Sequence, residues 1–397
     1  MKQYNNDFPL LKVHKDLIFF DNAATSQKPQ VVIDAVTDFY TQYNAPIKRG
    51  LYRLAEQATE HFERARACVA QYINAAPEEI IFTSGATESI NFIAATWALQ
   101  QLKKGDEIVL TELEHHSNLI PWQECAQKTG AVIKFIPVTK DGMLDITSLD
   151  TLITKKTKLV SFLDVSNAIG THLPVHALVA RAREVGAKIF IDACQSVPHQ
   201  RIDVHHYDCD FLAFSGHKML GPTGIGILYI KKEIQHEVPP YQFGGGMIFQ
   251  AGYQEATYLK PPYCYQAGTP PVAQAIGLQA AIDYLQTLDF QALKKHEAGL
   301  CVRLIDGLQG IPGIRVLGPV EQLKKEGHLV SFVHNTYHFH DIAAYLDTKN
   351  ICVRAGHYCA QPLATKLGID GSVRVSFYLY NSLEQVDALL EALESLS

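Results

Sequence analysis

Apolar residues recur along this chain in two alternating rhythms. Short, mostly apolar runs stand at Ile80-Ile81-Phe82, Glu107 to Leu110, Leu159 to Leu163, Lys188 to Ile191, Phe211 to Phe214 and Ile225 to Ile230. Each is too short for a helix and reads as a buried strand. Helical stretches separate them. From Arg53 to Ile73, apolar residues at 54, 58, 62, 65, 69 and 73 mark a long amphipathic helix. This alternation predicts an α/β fold built on a large, doubly wound, mostly parallel sheet. Periodicity fails between Tyr229 and Ala273, where Pro239-Pro240, Gly244-Gly245-Gly246 and Pro261-Pro262 interrupt the chain. Such a segment suits a surface wrap or a subunit interface. Beyond Pro271 two helical patterns run to about Leu308, and strands near 314–317, 328–333, 351–354 and 372–376 predict a smaller α+β domain. A last helix starts at Leu383, with Ser382 as its cap and Gln385 at the capping-box position. The expected division is a large domain over 16–288 and a small one from 1–15 and 289–397.

With 397 residues, 47% hydrophobic and 19% charged, the chain has the composition of a soluble enzyme with room for two to three domains. A net charge of −6 and the absence of charge runs exclude a nucleic-acid footprint. No 18-residue apolar run and no leader-like N-terminus occur, so the expectation is a cytoplasmic protein without membrane contact. Eight cysteines contain no C-x-x-C pair, which leaves zinc-ribbon and thioredoxin-like readings unsupported and implies no metal.

Candidate chemistry centres on Phe211 to Leu228. A buried strand stops at Ser215-Gly216, and His217-Lys218 follow, hemmed in by Gly221, Gly224 and Gly226. Alone, such a lysine is more often an exposed loop residue. Desolvated at a strand end, it would be a Schiff-base nucleophile that bulky ligands can approach over the glycines. Upstream, the strand ending at Asp192 supplies a carboxylate. Pyridoxal phosphate (PLP) needs both a lysine for its aldehyde and an acid facing its pyridinium nitrogen. These two strand ends would present them on the carboxyl edge of a parallel sheet. The turn Thr83-Ser84-Gly85-Ala86-Thr87 runs from a strand into a helix, so its N–H groups, including that of Ala86, and the Thr87 hydroxyl could bind phosphate. Cys359 lies after a glycine turn, close to Arg354 and His357 and at the start of a helix, a setting that favours thiolate. The competing reading is a structural cysteine in a turn.

The strings "IDACQSVPH" and "DFLAFSGHKMLGPTGIGILY" closely resemble the lysine region of class V aminotransferase-like enzymes of PLP fold type I. Within that class, "RAGHYCAQP" resembles the "RxGHHCAxP" loop of group II cysteine desulfurases (SufS/CsdA-like) and selenocysteine lyases. The likeness runs from "FDNAATSQKP" to the final helix. It implies Lys218, Cys359 and His115, from "EHHSNLIPW", as catalytic residues, with His115 stacked on the ring and His116 structural. It also implies cofactor binding by Ala86, Thr87, His115, Asn167, Asp192, Gln195 (on the ring hydroxyl), Ser215, His217 and Lys218, and by Thr269 of a neighbouring subunit in a homodimer. Arg374 would pair with the carboxylate of an amino acid, with Arg354 and Asn167 beside it.

The implied reaction takes L-cysteine to L-alanine, with a persulfide on Cys359 for a thiol-bearing sulfur-acceptor protein, in iron–sulfur cluster assembly or other sulfur trafficking. A selenocysteine lyase acting on L-selenocysteine is the nearest rival. A kynureninase-like C–C lyase would leave Cys359 idle. A non-catalytic binding partner on this scaffold would not need Lys218, Asp192 and Cys359. The chain departs from the family at Ser84 and Ala86, at Cys194, and at Lys48, Tyr52 and Tyr358, where histidines are common. The last three are expected at the mouth of the site, as contacts for the acceptor.

Overall fold

The computed structural model describes residues 4–396, so the outermost parts of the expected 1–15 and 289–397 segments, residues 1–3 and 397, lie outside it. Seven strands form the large sheet: β1 (Ile80–Thr83), β2 (Glu107–Thr111), β3 (Val132–Ile136), β4 (Thr157–Leu163), β5 (Lys188–Asp192), β6 (Phe211–Ser215) and β7 (Gly226–Ile230). Their order is β1-β7-β6-β5-β4-β2-β3. All pairings are parallel except those of β7, which runs antiparallel to both neighbours. Its reversal follows from its connection. The ten residues between β6 and β7 suffice for an antiparallel return, whereas a parallel one needs a crossover of a dozen or more.

Strand β3 is absent from the sequence expectation. It is an edge strand whose burial does not follow its apolar pattern, and its Lys134 pairs with Glu107 at 2.7 Å. The long helix spans Arg53–Tyr72, with Ala58, Phe62, Ala65 and Val69 buried as its period predicts. Leu54 instead faces solvent. Helix Val272–Gln286 packs against this helix and against helix Gln30–Gln42, closing one side of the large core. The aperiodic segment carries an antiparallel hairpin, Ile248–Ala251 with Ala256–Tyr258, whose Phe249 and Tyr253 are exposed.

The smaller sheet contains β8 (Ile314–Leu317), β9 (Leu329–His334), β10 (Arg354–Gly356) and β11 (Ser372–Ser376) in the antiparallel order β8-β9-β11-β10. A second apolar cluster lies beneath it, built from Leu300, Leu304, Phe332, Val373 and Leu389 among others. Phe8 belongs to the large core and Phe20 to the small one, so the N-terminal stretch links both. Ile18–Phe19 pairs in parallel with Ile351–Cys352, and Asp21 bridges to Ser376. The carboxyl ends of β4, β5 and β6 therefore face β10 and β11 across a cleft. No helix among the described residues is long and apolar enough to cross a membrane.

Candidate active site

Asp192 closes β5 and is 5% exposed, with one carboxylate oxygen accepting the Cys194 N–H at 3.0 Å. Two further carboxyl groups lie in the same region. Burial raises Glu114 to about 8, although Thr111, Asn118 and the Leu163 N–H all donate to it. Burial also raises Asp164 to about 7. Both hold protons that an exposed carboxyl would release, which limits the negative charge gathered around Asp192.

Lys218 ends a single 3-10 turn, Gly216–Lys218, directly after β6. The turn is held from outside. The His217 carbonyl accepts from the Thr25 hydroxyl (3.1 Å), the Ser26 N–H (3.1 Å) and hydroxyl (3.2 Å), and Lys28 Nζ (2.7 Å). Burial pushes Lys28 down to about 7. At Gly216 a Cβ would meet Ile225 Cγ2 at 2.8 Å, so only glycine permits this tight exit from the strand. Across the turn, the Ala86 N–H opens helix Ala86–Ile93 and donates to Ser215 Oγ at 2.9 Å, and the Thr87 hydroxyl meets that of Ser117 at 2.7 Å. His217 Nδ1 lies 3.2 Å from the Thr25 hydroxyl. Burial, with Lys218 and Lys28 nearby, lowers His217 to about 4. A helix start, two hydroxyls and a neutral imidazole make a cup suited to a phosphate group.

His115 follows β2. Its Nδ1 accepts the Ser117 N–H at 3.0 Å, which leaves the proton on Nε2. Burial first, then Lys218, lowers its pKa to about 4. It stands in the cleft as a neutral ring with a defined donor.

The cysteine loop descends from β10. Arg354 sits opposite Arg374 on β11, a like-charge pair that Asp21 bridges, with one oxygen 3.4 Å from Arg354 and the other 3.1 Å from Arg374. Arg374 Nη1 also donates to the Asn167 carbonyl at 2.7 Å. Its Nε–H and the Asn167 side-chain oxygen are buried without protein partners. A buried guanidinium only half satisfied by one carboxylate is prepared for another.

Tyr358 and Cys359 both adopt left-handed backbone (φ +55° and +57°), costly for non-glycine residues. Several contacts hold that shape. The Tyr358 hydroxyl donates to the Ser372 carbonyl and accepts from Ser372 Oγ at 2.9 Å, while its ring lies 4.7 Å from the Arg374 guanidinium. Asn167 Nδ2 donates to the Tyr358 carbonyl at 2.7 Å, and the His116 N–H donates to that of Cys359 at 2.7 Å. Cys359 is left exposed as a free thiol.

One cavity of about 380 Å³ collects Ala86, Thr87, His115, Asn167, Asp192, Gln195, Ser215, His217, Lys218, Arg354, Cys359 and Arg374. Thr269 is not among its lining residues and instead borders a separate hollow with Ser84 and Gln266. Tyr358, expected at the mouth, lines the cavity with its ring under Arg374. Lys48 lies 4.1 Å over the Tyr263 ring, and neither it nor Tyr52 lines the cavity. Sequence reasoning passed over Asp21, Glu114 and Lys28 as site residues. Asp21 does end an apolar run, but nothing in the sequence marks it as the bridge between two distant arginines. The cavity fits PLP on its own geometry: a phosphate cup, a lysine, a carboxylate on the sheet edge, a histidine beside them, and a guanidinium at the rear whose Nε–H has no protein partner.

Comparison with known proteins gives a consistent result. The aminotransferase class-V family model matches residues 18–389. A cysteine desulfurase of Haloferax volcanii is 44% identical over 381 residues, covering 96% of this chain and 89% of the relative. The apo structure of a cysteine desulfurase from Thermococcus onnurineus superimposes with a TM-score of 0.95 at 41% identity, covering 99% of this chain and 96% of that one. The cysteine desulfurase CsdA of Escherichia coli gives 0.92 at 35% identity, with 99% and 97% covered.

Proposed function

The chain belongs to the aminotransferase class-V family, and from that premise we propose that it is a PLP-dependent cysteine desulfurase. It converts L-cysteine to L-alanine and leaves the sulfur as a persulfide on Cys359. The observation that carries this is the opening of Lys218, Asp192 and an exposed Cys359 onto one cavity. When bound, PLP supplies an electron sink for negative charge developing at the substrate Cα.

The residues divide the remaining work. The cup at Ala86, Thr87, Ser215 and His217 would hold the phosphate, and Asp192 would keep the ring nitrogen protonated. Arg374, through its free Nε–H, takes the amino-acid carboxylate, with Asn167 beside it. The Lys218 amine accepts the Cα proton, and His115, with its hydrogen on Nε2, assists the later protonations. The Cys359 thiolate attacks the substrate sulfur. A sulfur–sulfur bond forms, the Cβ–sulfur bond breaks, and its electron pair stays with the carbon skeleton. That skeleton takes up the protons released by the thiol and by Cα to become alanine. The sulfur is oxidised to the persulfide level, the carbon is reduced, and no outside oxidant is needed.

The enzyme works as a cytoplasmic homodimer, in which Thr269 serves the partner's cup. The persulfide passes to a thiol on an acceptor protein, which the exposure of Cys359 permits. In the test, Cys359→Ser is expected to retain PLP and bind cysteine yet form no protein persulfide, measured by alanine release and thiol-specific labelling with cysteine and selenocysteine side by side. Full activity toward cysteine in that variant would overturn the assignment, and activity surviving only toward selenocysteine would favour a selenocysteine lyase.

A further inference from the structure

Behind the cavity, where the two sheets meet, lies a histidine cluster that the reaction above does not use. His199 follows β5 on the large sheet, and His328 immediately precedes β9 on the small one. Their rings stack with centroids 3.9 Å apart and planes 18° apart. His199 Nδ1 lies 2.8 Å from the carboxylate of Glu297, and both Glu297 and His328 are 2% exposed. On its other side, His328 Nε2 faces Gln195 Oε1 at 3.4 Å. Gln195 Nε2 in turn donates to the Ala23 carbonyl at 2.9 Å. Gln195 lines the cofactor cavity as well as the narrow hollow around the histidines.

The donor inventory decides the orientations. A carbonyl only accepts, so the Gln195 atom facing Ala23 is the amide nitrogen, which keeps a second hydrogen. The amide oxygen is then the atom facing His328, and His328 Nε2 must carry the hydrogen between them. Burial, then His199, His172 and Arg374, pushes His328 well below its ordinary pKa, so one nitrogen is protonated and that nitrogen is Nε2. A reversed amide would set its oxygen against the Ala23 carbonyl and its NH2 group against the His328 donor.

We propose that His328 is a positioning residue: while the Ala23 carbonyl fixes the Gln195 amide nitrogen, the His328 Nε2–H anchors the amide oxygen, and the two together aim the remaining N–H at the ring hydroxyl of the bound cofactor. This rests on Gln195 being the partner of that hydroxyl. Because His328 belongs to the small sheet and Gln195 to the large one, the orientation also requires the two sheets to stay packed. An amide held by Ala23 alone tilts about that single anchor, and its second N–H loses its aim at the ring hydroxyl.

The test uses the full-length enzyme with PLP, and reads both the dissociation constant of the cofactor and the position of its visible absorbance band. His328→Met keeps the bulk and removes the donor, while His328→Gln is of similar shape and restores an N–H. The expected result is about tenfold weaker PLP binding and a displaced band for the methionine variant, the size of one lost hydrogen bond, with most of both recovered by glutamine. A glutamine variant indistinguishable from the methionine one, in affinity, band or ability to fold, overturns the proposal. Gln195→Leu separates the two layers. If it weakens PLP binding and shifts the band while His328→Met does neither, the role of His328 alone fails. If Gln195→Leu changes nothing, the assignment of Gln195 fails first and the role of His328 with it. In the double variant, His328→Met is expected to add nothing to Gln195→Leu.

Discussion

Single side chains carry this chemistry because their neighbours leave each of them one free function. Lys218 is presented by a turn whose preceding carbonyl is gripped by Thr25, Ser26 and Lys28, so its amine needs no hydrogen bond of its own to hold the turn. Lys218→Ala is expected to abolish alanine release and the yellow cofactor band together. Absorbance and borohydride reduction check this, since a reducible adduct surviving in the variant would point to another lysine. Tyr358 is a different case. Its hydroxyl ties the cysteine loop to Ser372 and its ring supports Arg374, so within this chain it clamps the loop. Tyr358→Phe keeps the ring and removes the tie. The expected cost is about 1 kcal/mol of stability with slower persulfide formation at unchanged PLP content, read by denaturant unfolding and single-turnover labelling.

Elements matter here through how closely they approach. β7 lies against β1 so tightly that a Cβ on Gly226 would stand 2.4 Å from Gly85 Cα, in the turn that opens the phosphate cup. Gly226→Ala must push that turn aside. A loss of about 1–3 kcal/mol is expected, the usual range for overpacking, together with weaker PLP binding. Unfolding titrations and cofactor binding check both, and a variant with wild-type PLP affinity would show that the cup does not depend on this contact. The short strand β10 works by register. By setting Arg354 opposite Arg374 it creates the like-charge pair that Asp21 must bridge, and so ties the N-terminal stretch to the cysteine loop.

At the scale of the molecule, buried titratable groups of opposite kinds surround the cleft, and their balance sets the acid limit of the cofactor-free protein. His115, His172 and His217 are each lowered to about 4, chiefly by burial. Below about pH 6.5 the unfolded chain takes up protons that these folded residues refuse, so stability falls as pH drops from 6.5 toward 4. Glu114 and Asp164 are raised to about 8 and about 7. Their folded forms keep protons that the unfolded chain has already released, so stability falls as pH rises from about 4.5 through 8. Between 4.5 and 6.5 the two effects oppose, and the three histidines outweigh the two carboxyls. Above 6.5 the carboxyls are opposed by Lys28 and Lys48, which burial lowers to about 7 and about 8, so that the lysines' contribution to stability rises with pH and offsets the loss. Thermal stability is therefore expected to fall as pH drops from 6.5 toward 4.5, and unfolding midpoints that rise over that range would contradict it.

Much of this is legible in the sequence itself. Burial repeats along a strand or helix with the backbone's own period, so six strands of the large sheet, the Arg53–Tyr72 helix and the Ser382 cap could be read from spacing alone. Residue types at strand ends likewise pointed to Lys218 and Asp192, whose chemistry is local to the turns that carry them. Edge strand β3 escaped because it has one neighbour and mixed exposure, which leaves no clean period. The Asp21 bridge, the Tyr358 ring under Arg374, and the His199–His328 stack behind Gln195 join segments more than a hundred residues apart, or in the case of Tyr358 depend on which side of a loop faces Arg374. Such contacts leave no periodic trace, because they arise only when two separately patterned sheets close on each other. The sequence determined which residues would be available at the cleft, and the packing of the two sheets decided which of them meet.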